Sequence, residues 1–135
     1  MLSSIQSTTT TTDATATLEQ LQQQAKTAAT QAQQDFLAKW VESTGGNEYG
    51  EPMYCGFAWV TVTPEHKGNT RLGKQERTVL ERMGFRKDWT GKAWQLWNPT
   101  GYAGQSMDVK ECGAQAYADV LRTAGFRAYM GSRAD

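Results

Sequence analysis

A chain of 135 residues has room for one domain, and its 14 basic and 14 acidic side chains cancel. Two cysteines and one histidine are too few for a disulfide scaffold or a four-ligand zinc site, so a reducing, cytoplasmic setting with no metal or other cofactor is expected. No apolar run approaches the ~18 residues of a membrane span, and the first residues lack the basic-then-apolar pattern of a leader, so no membrane partner is expected.

Residues 1–17 are rich in Ser and Thr and poor in large apolar side chains, which predicts a disordered tail. Residues 18–44 then switch to Gln, Ala, Leu and Lys, good helix formers. Leu18, Leu21, Ala25, Ala28, Ala32, Phe36 and Trp40 recur every three or four residues and predict one apolar stripe on an N-terminal helix. Two uses of the stripe follow. The helix docks its last turns on the domain while its first turns stay loosely held, or Leu18 to Trp40 pairs chains into a homo-oligomer, although a strict heptad would put Asp35 and Lys39 in the seam. Gly45 and Gly46 end the helix, and residues 45–52 read as a linker.

The remaining residues, 53–135, predict an α+β domain. Cys55 to Thr63 is β-branched and aromatic, closed by Pro64, and both of its faces are largely apolar: Phe57, Trp59 and Thr61 on one, Ala58, Val60 and Val62 on the other. That pattern belongs to the middle of a sheet covered on both sides. Asn69 or Thr70 can cap a following helix whose inward stripe is Leu72, Glu76, Val79, Leu80 and Met83, stopped at Gly84. Phe85 to Asn98 predicts two short strands joined by a two-residue turn at Thr90 and Gly91, with Lys87 opposite Trp94 and Phe85 opposite Leu96. Asp108 and Glu111 have capping-box spacing, and Val109, Cys112, Ala116, Val120, Leu121 and Ala124 follow as a second inward stripe on which Cys112 is a buried, inert thiol. Gly125 stops that helix, Phe126, Ala128 and Met130 alternate with Arg127 and Tyr129 in a last strand, and residues 132–135 form a polar tail. The order strand, helix, strand, strand, helix, strand is that of the ferredoxin-like, split βαβ fold, an antiparallel sheet with two helices on one face.

Such a fold leaves one sheet face open. The predicted register collects Trp59, Arg86, Gln95, Trp97, Arg127 and Tyr129 there, with Phe57 beside them. Aromatic rings next to guanidinium groups can stack unpaired bases and meet phosphates, so the expected partner is single-stranded nucleic acid, or else a protein. Charge permits this without demanding it: residues 1–50 hold two basic and five acidic side chains, leaving twelve against nine in residues 51–135. An RNA-recognition motif would carry aromatics two apart on its third strand, whereas Trp94 and Trp97 are three apart and on opposite faces. Cover by the N-terminal helix or by a second copy is the competing use of so aromatic a face. Arg86 and Arg127 follow the repeated Gly-Phe pairs, which places them alike in the two half-units, either as solvated residues at strand starts or as a shared side for phosphate or an acidic partner.

A small enzyme would have to use Cys55, Cys112 and His66, which carry no local signature, so a non-enzymatic binding protein is expected. Finally, the stretches Cys55 to Val60, Gln105 to Ala114 and Leu121 to Asp135 resemble small proteins encoded by bacteriophages and other mobile elements, over residues 54–135. Ala134 departs from the larger apolar residue expected in such endings. The resemblance implies work in a bacterial host cytoplasm, on nucleic acid or on a host or phage protein, and carries over no catalytic residue.

Overall fold

Glycines in the left-handed region stop two helices at equivalent places, Gly84 at φ +93° and Gly125 at φ +102°, a conformation that a Cβ disfavours. The computed structural model describes residues 11–135, with side chains from Thr17 onward. Within it the elements run α1 (Thr11–Thr44), β1 (Gly56–Val62), α2 (Arg71–Arg82), β2 (Arg86–Lys87), β3 (Trp94–Trp97), α3 (Met107–Thr123) and β4 (Ala128–Ala134). The class is α+β: four strands form one sheet in the order β2-β3-β1-β4, every neighbouring pair antiparallel. No helix among the described residues is long and apolar enough to cross a membrane. Residues 1–10 of the expected tail lie outside the described residues, and from Thr11 the chain is already helix.

Side chains directly opposite each other in an antiparallel pair share a face, so register sorts the residues. Val60 stands opposite Leu96 and Met130, and Val62 opposite Trp94 and Ala128. These point to the helices and join Ala58, Leu80, Met83, Phe85, Tyr117 and Leu121 in the core. Burial of each large aliphatic side chain there contributes about 1.5–3 kcal/mol. The helices cover this side only, so β1 is central but not covered on both sides as its sequence suggests. Its second apolar face is satisfied by rings packing on one another.

Helix α1 lies along α3, away from the open sheet face. Contact is close because small residues meet: Ala25 and Ala29 of α1 and Ala114 and Ala118 of α3 are all fully buried. Gly113 of α3 leaves the space that the Gln33 side chain occupies, and a methyl there would run into its amide. Gln33 Nε2 donates to Val109 O (3.1 Å), and Gln33 Oε1 accepts from Thr100 Oγ1 (2.9 Å). Docking is therefore tightest in the middle of α1 rather than in its last turns, where Phe36 and Trp40 are half-buried. The centre of the stripe is Ala25, Ala29 and Gln33, one position round from the sequence expectation at Ala28 and Ala32, which are half-buried.

Other expectations shift for local reasons. Residues 47–52 are an anchored turn: Asn47 Oδ1 accepts from the amides of Tyr49 and Gly50, both at 2.9 Å, and Glu51 accepts from Tyr102 Oη (2.6 Å) and Gln105 N (2.9 Å). Thr70 caps α2, accepting from Gly73 N at 3.0 Å, and the buried inward position of the first turn is Gly73, which leaves Leu72 51% exposed. Ser106, not Asp108, caps α3 by accepting from Val109 N (3.4 Å), and Glu111 instead accepts from Ser132 Oγ (2.5 Å). α3 is contacted by both α1 and the sheet, so it buries Val109, Lys110, Gly113, Ala114, Tyr117, Ala118 and Leu121. Cys112, Ala116 and Val120 are half-buried and Ala124 is exposed. The hairpin keeps the expected Lys87 to Trp94 register, but its turn runs from Asp88 to Gly91, with Gly91 N donating to Asp88 O at 3.1 Å. The Asp88 carboxylate fixes that turn by accepting from Thr90 N (3.0 Å) and Thr90 Oγ1 (2.6 Å), which a two-residue turn would not allow. The last residues are strand rather than tail, since Ser132 and Arg133 pair with Ala58 and Phe57, and Asp135 N donates to Cys55 O at 3.1 Å.

Two tests follow from these contacts. Gln33→Ala removes both bonds to a buried amide and should cost about 1–3 kcal/mol in urea denaturation, with an unchanged m-value. A midpoint like that of the parent would mean that α1 docks through its alanines alone. For Glu51, burial pushes the carboxyl up, but the bonds from Tyr102, Gln105 and Ser106 together outweigh it and hold it below 4.5. A depressed carboxyl stabilises the fold above its unfolded pKa and loses that contribution as pH falls through the folded value. The Gln105 amide proton should thus titrate in NMR with a midpoint below pH 4.5. A midpoint at or above that value contradicts the anchoring role.

Candidate functional site

The side of the sheet turned away from the helices is built by the odd-numbered residues of β1. Trp59 stands opposite Gly131 on β4 and Trp97 on β3, and Thr61 stands opposite Tyr129 and Gln95. Gln95 in turn faces Arg86 on β2, and Phe57 faces Arg133 on β4. Alternation places Arg127, just before β4, on this face as well, with its carbonyl accepting from Thr63 N (3.1 Å).

The rings form layers. Trp59 lies against the bare backbone of Gly131, where a methyl group would sit 2.6 Å from the indole Nε1. Trp97 stacks on Trp59, centroids 4.5 Å apart and planes at 22°, and Phe57 meets Trp97 at 6.0 Å, tilted by 57°. Offset stacking of this kind is worth about 0.5–1.5 kcal/mol beyond burial. Gly131 is thus the floor, Trp59 the support and Trp97 the ring that meets solvent, 45% exposed. Trp97 Nε1 donates to Gln95 Oε1 (3.0 Å), which sets the orientation of the outer indole. Tyr129, 50% exposed, shares a hydrogen bond of 3.1 Å with Thr63 Oγ1.

All six residues read from the sequence as a binding face, Trp59, Arg86, Gln95, Trp97, Arg127 and Tyr129, therefore lie on one side of the sheet. Their roles differ from expectation in two respects. Trp59 is half-buried beneath Trp97 and is not a free stacking ring. Arg86 lies on β2 and Arg127 immediately precedes β4, the two outermost strands, so they stand at opposite edges instead of sharing one side. Neither guanidinium makes a hydrogen bond or ion pair among the described residues. Beside Trp97, a groove of about 370 Å³ is lined by Gly84, Arg86, Lys87, Gln95, Leu96 and Trp97.

Sequence reasoning missed Arg133, because residues 132–135 look like a tail, and Lys110, because it lies on a helix. The ammonium of Lys110 stands 5.4 Å from the Phe57 ring centroid and the guanidinium of Arg133 stands 5.7 Å from it. Trp89, at the hairpin tip, is 94% exposed.

The thiol and imidazole groups do not converge. Cys55 precedes β1 and His66 follows it, so they are separated by the length of the strand, roughly 25 Å at ~3.3 Å per residue. Burial, with Asp108 and Glu111 nearby, pushes the Cys112 thiol up, away from the reactive thiolate. Glu65, His66 and Glu76 bring possible metal ligands within 4.8 Å of one another. The Glu76 oxygens, however, accept from Glu65 N (2.9 Å), His66 N (2.8 Å) and His66 Nδ1 (3.2 Å), which clasps the loop before α2.

No protein-family model, curated protein or solved structure matches the chain.

The layered rings give a direct test. Gly131→Ala should force Trp59 off the sheet, weaken the tryptophan pair signal in near-UV circular dichroism and cost about 1–3 kcal/mol. An unchanged signal would show that the stack does not need the bare backbone.

Proposed function

We propose that the domain is a ferredoxin-like, split βαβ unit that binds single-stranded nucleic acid on its open sheet face, without catalysing a reaction. The fold reading is supported by the sequence of elements and by β1 and β3 standing at the centre of the antiparallel sheet. The functional reading is carried by one observation: a solvent-facing indole, Trp97, stacked on Trp59 against the bare backbone of Gly131, on a face whose two edges bring Arg86 and Arg127, neither paired among the described residues, toward its Thr61 end.

A base is a flat apolar disc attached to an anion, and this surface answers both parts. An unstacked base lies on the outer face of Trp97, with Tyr129 and Phe57 offering further rings, while phosphates meet Arg86 and Arg127. Gln95 Oε1 is engaged by Trp97, which leaves few side-chain groups on the face to read base edges. Binding should therefore tolerate sequence. Duplex is disfavoured because its bases are stacked on each other and hidden from the rings. The resemblance to phage-encoded proteins adds a bacterial cytoplasm as the setting.

Stacking on one aromatic ring is worth about 1–3 kcal/mol per base, so Trp97→Ala should weaken binding of a labelled single-stranded oligonucleotide roughly 5- to 150-fold by anisotropy. Affinity should also fall with salt, with a log-log slope of about −0.7 for each phosphate contacted. Equal affinity of parent and variant, or no binding of DNA or RNA single strands at low salt, would remove the reading.

A further inference from the structure

We infer that the outer edge of β4 is a self-association surface, on which a second copy of this chain adds its own β4 antiparallel and joins the two sheets into one. Such pairing depends on backbone groups and charges at the sheet edge and not on the binding of nucleic acid.

The two edges of the sheet are unlike. β2 is two residues long and both are basic, Arg86 and Lys87, so that edge is blunted by shortness and charge. β4 runs for seven residues without proline and pairs with β1 in unbroken register from Ala128 to Ala134. Thr63 N donates to Arg127 O and Asp135 N donates to Cys55 O, so the odd-numbered residues of β4 turn their amides and carbonyls toward β1. The even-numbered ones, Ala128, Met130, Ser132 and Ala134, therefore turn theirs outward. Arg122 Nη1 occupies Ala128 O (3.0 Å), whereas the outward backbone groups of Met130, Ser132 and Ala134 make no hydrogen bond among the described residues. A row of bare donors and acceptors is a template for one more strand.

The row fits itself. Even-numbered residues must meet even-numbered ones, so few registers are open to a two-fold pairing. With Gly131 opposite the partner's Gly131, Met130 exchanges backbone bonds with the partner's Ser132. Side chains directly opposite share a face, so on the open side Tyr129 meets the partner's Arg133, and Arg127 meets the partner's Asp135. Neither Arg127 nor Asp135 is in an ion pair among the described residues. Sliding one strand by two residues sets Arg133 opposite the partner's Arg127, and sliding it the other way moves Asp135 to the partner's Tyr129. Opposite charges thus meet in one register and like charges in the next, which selects both the occupant and its alignment. On the helix side Ala128, Ser132 and Ala134 are small enough for a second backbone to approach. Arg127 keeps donors for an anion, because a guanidinium has more N–H groups than one carboxylate engages. The two aromatic faces come to lie on the same side of the joined sheet.

Paired edges of this length bury less than the ~1,200–2,000 Å² of a standard interface, so micromolar or weaker association is expected. Sedimentation of the full chain from about 1 µM to 1 mM should show monomer converting reversibly to dimer. In NMR hydrogen exchange at low and high concentration, the amides of Met130, Ser132 and Ala134 should gain protection with concentration, and those of Tyr129, Gly131 and Arg133 should not change. Ser132→Pro removes an outward N–H and spares the β1 ladder, and should raise the dissociation constant about tenfold or more. If that variant does not fold, charge reversal carries the test. Arg127→Asp and Asp135→Arg should each weaken the dimer about fivefold or more, and the double exchange should regain it, which a merely structural role would not produce. A chain that stays monomeric throughout overturns the proposal. A dimer whose Met130, Ser132 and Ala134 amides exchange as in the monomer overturns it too, since the contact then lies elsewhere. Protection of those amides by oligothymidylate in a chain that remains monomeric gives the edge to that ligand and likewise removes the pairing of copies.

Discussion

Because side chains alternate along a strand, the register of β1 against its two neighbours decides the core and the open face together. Ala58, Val60 and Val62 enter the core only if Phe57, Trp59 and Thr61 emerge on the other side. A slip by one residue would drive two aromatic rings against α3 and put three small apolar side chains into water. Both neighbours resist that slip. On β4, only Gly131 leaves room for Trp59, and on β3 only Trp97 can complete the stack. The aromatic face is therefore also the register lock of the central strand, and the stability of the sheet and the shape of its outer surface are one property.

The placement of α1 follows from the same division. Ala25 and Ala29 present a shallow, smooth stripe that suits the equally small surface of Gly113, Ala114 and Ala118, and Gln33 fills the notch with both ends of its amide bonded. The open sheet face is the wrong shape for such a helix, being studded with large rings and rimmed by guanidinium groups. Close packing on α3 and steric mismatch with the sheet act in one direction, and the helix available to shield Trp97 is held on the far side of the core. The apolar stripe that could have paired chains is likewise consumed within the chain at its centre.

Much of this arrangement was legible before the structure. Period-two alternation in β1, the Gly84 and Gly125 stops and the Lys87 to Trp94 pairing follow from local sequence, since a strand period, a left-handed glycine and a hairpin register act over few residues. What could not be read depends on contacts distant in sequence. The rotation of α3 is set by having α1 on one flank and the sheet on another, so its buried positions exceed any single stripe. Ser132 to Ala134 looks like a polar tail until β1 is there to pair with it. Trp59 reads as a free ring because nothing local announces that Gly131, seventy-two residues later, is its floor.

Net charge conceals the distribution of charges for a related reason. An excess of three positive charges over residues 51–135 suggests no particular anionic partner. Yet several carboxylates are spent on local work: Glu51 on Tyr102 and Gln105, Glu76 on the loop before α2, Asp88 on the hairpin turn, Asp119 on Arg122 and Glu111 on Ser132. Arg86, Arg127 and Arg133 have no such acidic partner among the described residues, and all three lie on or beside the aromatic face. The field above any one surface is set by which charges remain uncommitted and where they stand, and screening over about a Debye length makes that local arrangement outweigh the sum over the chain. A nearly neutral protein can in this way present a cationic, ring-lined surface on one side only.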